Sequence, residues 1–165
     1  MFARALHRIR QFAGALRPRV SAEARADAYR WLLAPQEKIF ESMMLRDQQH
    51  GIDVYRRVHA EAAPDDRPLF AAALLHDCGK GQVRLWQRVA YVVLGATAPS
   101  LRARIAAERG PEWRRAFFRL LHHPELGARM VAHASADPDV VRMIREQEAT
   151  EPDARLALLQ AADDA

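Results

Sequence analysis

Apolar positions along this 165-residue chain recur at three- and four-residue steps, the spacing that gathers them on one side of an α-helix. Phe2, Leu6, Ile9, Phe12 and Leu16 set the pattern at once, with arginines between them. Ser21 predicts the N-cap of a helix through Trp31, Leu32 and Leu33; Pro35 interrupts it and can start the next. Ile39, Met43 and Met44 give that next helix an apolar side, and Asp47 predicts the cap of a helix bearing His50, Val54 and Val58. Residues 62–66 read as a loop. Pro68 then opens a helix whose Leu69, Phe70, Ala73 and Leu74 face a core, with Gly79 placed to stop it. Further helices are predicted around residues 84–95, 99–108, 111–122, 124–134, 138–149 and 153–163, mostly started by Pro99, Pro111, Pro124, Pro138 and Pro152. No segment sustains a period of two. The expected fold is all-α, a compact bundle of short helices with an N-terminal amphipathic basic helix.

Composition changes this picture little, but charge divides the chain. The net charge is +4, and residues 1–20 hold Arg4, Arg8, Arg10, Arg17 and Arg19 with no acid. The remaining residues carry 20 basic and 21 acidic side chains, a balance of −1. A division into a basic helix over 1–20 and a domain over 21–165 follows. That arm can lie on anionic lipid, enter a partner's groove or pack on the domain, and the absence of acids also leaves organelle targeting open. Nucleic-acid binding is disfavoured, because one short basic stretch lacks recognition elements around it. The single Cys78 excludes an internal disulfide framework and fits a reducing cytoplasm. The longest apolar run, residues 89–96, is far short of the ~20 residues that cross a bilayer.

Candidate chemistry sits among the seven histidines. His76 and Asp77 occur in Leu-Leu-His-Asp-Cys-Gly-Lys, at the end of an apolar helix. A polar pair there is costly to bury unless something compensates it, and a divalent cation does, since imidazole and carboxylate suit Mn, Fe, Co, Zn or Mg. Alone, the dipeptide also reads as a surface pair. The Gly-Lys that follows, His50 upstream and Asp163 on a late helix make a set that core packing does not explain.

This ordered set resembles the HD superfamily of metal-dependent phosphohydrolases: a His, a His-Asp pair and a distant Asp on the helices of an all-α fold. The matching positions are His50 in Asp-Gln-Gln-His-Gly, His76 and Asp77 in His-Asp-Cys-Gly-Lys, and Asp163 in Leu-Leu-Gln-Ala-Ala-Asp-Asp, so the likeness runs from about residue 39 onward. It implies that His50, His76, Asp77 and Asp163 hold one divalent ion, with Asp77 and Lys80 as catalytic candidates: Asp77 to take a proton from water, Lys80 to contact a phosphate. Members with the His-Asp-x-Gly-Lys phrase often carry further histidines for a second metal. His123 matches the first of these, although His122 and His123 before Pro124 also read as a helix cap. Gln147 stands where the second is expected, a departure that favours one ion. The Gly-Tyr-Pro phrase of the cyclic-dinucleotide-cleaving members is absent. Asp163 lies two residues before the last, so its position depends on docking of the Leu156, Leu158 and Leu159 face.

The remaining residues have plainer readings. His7, His59 and His133 are expected to be surface or partly buried, Cys78 a small packing residue, and Trp31, Trp86 and Trp113 core or helix-contact anchors. Lys80 could instead sit against a helix C-terminus. The function implied is hydrolysis of a small-molecule phosphate ester, nucleotides included, by a metal-activated water. The alternatives are a catalytically weak HD domain serving as a ligand-binding or regulatory module, and a helical adaptor docked through its N-terminus.

Overall fold

A computed structural model describes residues 19–165, and the expected helix over the first residues lies outside them. Among the described residues there are nine α-helices and one 3₁₀ turn, without a strand. They are α1 (Ala22–Tyr29), α2 (Ala34–Ser42), α3 (Leu45–Glu61), α4 (Arg67–Leu75), the turn Cys78–Lys80, α5 (Leu85–Thr97), α6 (Pro99–Ile105), α7 (Glu112–His133), α8 (Pro138–Arg145) and α9 (Ala154–Asp164). The all-α expectation holds.

The core forms around α4. Every residue from Leu69 to Leu75 is buried, because α2, α3, α8 and α9 pack against this helix. Its three consecutive alanines, Ala71, Ala72 and Ala73, keep it thin enough to be enclosed. Asp66 caps its start by accepting from the Leu69 amide at 3.2 Å, and Phe40, Ile52, Val58, Met143, Ile144, Leu156 and Leu159 complete the core.

Several local expectations are corrected. Ser21 does cap α1, accepting from Ala24 N at 3.1 Å, but this helix ends at Tyr29, before Trp31. Met43 is the C-cap of α2 and Met44 the N-cap of α3, so both fall outside α2, while Asp47 lies in the first turn of α3 and is buried. Its carboxylate cannot serve as the cap because Arg88 of α5 binds it at 2.6 Å. The two helices expected on either side of His123 are one helix, α7, with a kink where His122 leaves helical geometry at φ −115° and ψ 15°. Pro124 causes the break, since it has no N–H to give to the carbonyl one turn back. The helix that opens at Pro138 stops at Arg145 instead of residue 149, and α6 stops at Ile105 instead of residue 108.

Gly79 does not stop α4, which ends earlier, at Leu75. Its role is close approach: a Cβ there would stand 2.1 Å from the His123 carbonyl oxygen and 2.6 Å from Gly127 N. Only a glycine lets the turn after α4 lie directly on the backbone of α7. Of the tryptophans, Trp31 packs on the core, whereas Trp86 and Trp113 are both exposed rather than anchors, Trp113 meeting Phe117 of its own helix.

Candidate metal centre

The end of α4 contributes the first ligand-type side chain. A helix leaves its last carbonyls without intrahelical partners, and the His76 ring takes one of them, Nδ1 donating to Ala73 O at 2.9 Å. A carbonyl only accepts, so Nδ1 carries the hydrogen and Nε2 is directed elsewhere. That Nε2 is fully buried and has no hydrogen-bond partner. A buried, unsatisfied imidazole nitrogen costs about 1–3 kcal/mol unless a ligand meets it.

What surrounds this nitrogen is anionic. Asp77 Oδ1 lies 3.5 Å away and Asp163 Oδ1 3.4 Å away. His50 Nε2, on α3, stands 2.7 Å from the same Asp163 oxygen and 4.0 Å from Asp77 Oδ2. Gly51 allows this convergence: a Cβ at that residue would meet Leu74 O at 2.6 Å, so its absence lets α3 cross α4 against the backbone and sets His50 beside His76. One ligand atom each from His50, His76 and Asp77 lies within 4.8 Å of the others.

Asp163 arrives from the opposite end of the chain. Asp153 starts α9 by accepting from Leu156 N at 2.8 Å; Leu156 and Leu159 are buried and Leu158 is partly buried on the core. Arg57 of α3 then donates to Ala162 O at 2.9 Å, tying down the last turn. The expected docking of this face is therefore present, and it brings Asp163 to His50 and His76.

The kink in α7 supplies a further imidazole. Pro124 leaves the Leu120 carbonyl without its helical donor, and His123 Nδ1 takes that carbonyl at 3.0 Å. Its Nε2 thereby points inward, 3.8 Å from Asp77 Oδ1. His123 repeats the device seen at His76, a ring fixed by a carbonyl three residues back so that Nε2 faces Asp77. Such outer partners set the tautomer of metal-binding histidines. The other oxygen of Asp77 accepts from Lys80 Nζ at 2.5 Å, which answers the alternative placement of Lys80 at a helix end.

Burial alone would raise the carboxyl pKa of Asp77, but Lys80, His76, His50 and His123 outweigh it and hold the group ionised far below its usual range. For Asp163, His50 and His76 likewise outweigh burial and pull the carboxyl down. Burial resists charging His76, yet Asp77 and Asp163 raise it to about 9. His123 is pushed down to about 4 by burial and by the Lys80 charge, so it is neutral at pH 7. Two ionised carboxylates beside a buried, unpartnered Nε2 make a field that calls for a cation.

Two features were not legible in sequence. Gln147, placed where a second-metal histidine was expected, donates through Nε2 to His76 O and to Ile144 O, both at 3.0 Å. It buttresses the main chain of His76 from behind. Gln160 holds that loop in turn, donating to Gln147 O at 3.1 Å and Ala149 O at 2.9 Å. The second is the Asp47–Arg88 pair, one helical turn before His50. No signal in the sequence marked the pair, since Arg46 stands directly beside Asp47 while the actual partner, Arg88, lies 41 residues later.

The chain belongs to the HD domain family, whose model matches residues 48–164. Members of this family are typically metal-dependent hydrolases of phosphate esters, and the group formed by His50, His76 and Asp77 suits a divalent ion. Comparison with curated proteins and with solved structures yields no match.

Proposed function

We propose that this chain is a metal-dependent phosphohydrolase acting on a small-molecule phosphate ester, nucleotides included. The observation that carries the reading is the convergence of His50, His76, Asp77 and Asp163 around a buried imidazole nitrogen that no protein group satisfies. In this reading residues 21–165 are the catalytic domain, residues 1–20 an appended basic helix, and the four side chains hold one divalent ion of Mn, Fe, Co, Mg or Zn type. A bound ion of this kind supplies Lewis acidity and a water of lowered pKa.

The residues divide the remaining work. Asp77 orients its neighbours through both oxygens and accepts the proton of the attacking water. Lys80, half-buried next to it, offers a point charge to the substrate phosphate. His123 stands by as a neutral imidazole that can join the ligand set. Gln147, turned to the backbone of His76, supports a single-ion arrangement.

The test is hydrolysis of a panel of nucleotides and phosphate esters with each of these ions, comparing the native chain with Asp77→Asn and Lys80→Ala. Ion-dependent phosphate release that Asp77→Asn abolishes and Lys80→Ala weakens is the expected result. Release that survives Asp77→Asn removes the assignment. A chain that binds the ion and hydrolyses nothing in the panel favours the regulatory-module reading, and one that takes up no ion overturns both.

A further inference from the structure

The longest apolar run of the chain does not enter its core. Helix α5 carries ten apolar or glycine residues in thirteen, yet its only buried side chains are Gln87 and Arg88. Arg88 is consumed by the ion pair with Asp47, and Gln87 Oε1 accepts from Arg84 N at 2.7 Å. Leu85, Trp86, Val89 and Val93 are 47, 53, 41 and 46 % exposed. Trp86, Val89 and Val93 follow one helical face, and α6, packed beside α5, adds the exposed Leu101. No side chain of α6 is buried. The two helices meet α7 through Tyr91, which packs on Phe117 and is covered by the Arg102 guanidinium at 4.5 Å, and through Arg114, whose Nε donates to Ile105 O at 2.8 Å.

The stretch of chain that carries this face is basic. Between residues 81 and 111 the chain has Arg84, Arg88, Arg102, Arg104 and Arg109 against the single acid Glu108. With Arg88 neutralised internally, Arg84, Arg104 and Arg109 are the exposed cations of this stretch, Arg84 also acting on the Glu112 carboxylate of α7. Three features choose the occupant. The outward side of α5 offers almost no hydrogen-bonding group, since Thr97 Oγ1 is already turned back to Val93 O at 2.8 Å, whereas protein interfaces carry about one hydrogen bond per 100–200 Å². A second copy across a two-fold axis would set the same arginines against each other. An exposed Trp with aliphatic neighbours and arginines in the same stretch of chain suits the boundary of an anionic bilayer, where the rings sit at headgroup level. No described helix is long and apolar enough to cross a membrane, so the contact is one of lying on it.

We propose that the α5–α6 face docks this protein on anionic lipid surfaces, with Leu85, Trp86, Val89 and Val93 entering the headgroup boundary and Arg84, Arg104 and Arg109 meeting lipid phosphates or carboxylates. The proposal is independent of the metal reading. It also differs from lipid contact through residues 1–20, because it predicts that changes confined to α5 decide binding.

The test is co-sedimentation of the full chain with vesicles of phosphatidylcholine alone and of phosphatidylcholine containing about one-third phosphatidylserine. The native chain is expected to bind the anionic vesicles and not the neutral ones. The double variant Val89→Glu and Val93→Glu, at exposed positions that the fold tolerates, is expected to lose at least about tenfold in partitioning while keeping the native helical circular dichroism. Arg84→Glu with Arg104→Glu should weaken binding and flatten its dependence on salt. Undiminished binding of the valine variant overturns the proposal, as does failure of the native chain to bind. Concentration-dependent dimerisation abolished by the same valine substitutions, without vesicle binding, would assign the face to a second copy instead.

Discussion

Helices α4 and α5 have nearly the same chemistry and opposite fates. Both are runs of aliphatic residues with few charges, but α4 is enclosed on every side and α5 leaves Leu85, Trp86, Val89 and Val93 exposed. The difference lies in what surrounds them. Four helices pack on α4, and Gly51 and Gly79 admit α3 and α7 to backbone contact at its end. On α5 the contact is a buried ion pair and an aromatic edge. Apolarity supplies a demand for cover; only neighbours of the right shape supply the cover. The candidate metal centre sits at the end of the enclosed helix.

The sharpest way to break this comparison is at the centre itself. His76→Ala removes the orphaned Nε2, and ion binding measured by calorimetry should fall by more than the ~10–100-fold that loss of an outer partner costs. Helical circular dichroism should persist, because the aliphatic cluster that encloses α4 is left in place. Next in size is the link between the two regions. Asp47→Ala strands the Arg88 guanidinium in a buried position, and urea unfolding should show a loss of about 3–5 kcal/mol.

A matched pair of leucines tests the contrast directly. Leu74→Ala in α4 should cost about 2–5 kcal/mol, since the side chain is wholly enclosed. Leu85→Ala in α5 should change stability by no more than about 0.5 kcal/mol. Equal losses in the same unfolding measurement would show that α5 is covered in solution.

The smallest effect concerns acid and the start of α9. The Leu156 amide, together with Arg142, holds the Asp153 carboxyl below the usual carboxylate range. A depressed folded-state pKa means that the cap's contribution is whole above the unfolded value of 3.8 and fades as pH falls through the lower folded one. Exchange of the Leu156 amide, followed by NMR, should therefore gain an acid-dependent protection loss beyond the intrinsic rate. Asp153→Asn, which caps at any pH, should remove that component.

Much of this was readable in residues because it is local. A capping serine, a proline and a run of three- and four-step apolar positions act over a few residues, so Ser21 and the start of α8 were placed correctly. Asp47 misled because an acid in the first turn of a helix resembles a cap until its partner, 41 residues later, is known. The kink of α7 was read as a gap because Pro124 predicts a break, while the packing on the turn after α4 carries the helix through it. Gln147 was read as a missing ligand, although its amide supports His76 from outside the cluster.

The sequence by itself determined the helices and the family-bearing phrase, since propensity, capping and motif order are written in neighbouring residues. Tertiary structure alone decided that His50 and Asp163, 113 positions apart, share one hydrogen bond, that His76 keeps a buried nitrogen unpaired, and that the described residues leave one face of α5 uncovered. Each of these depends on how closely backbones approach, which glycines, alanines and one buried ion pair set across long separations and no local pattern reveals.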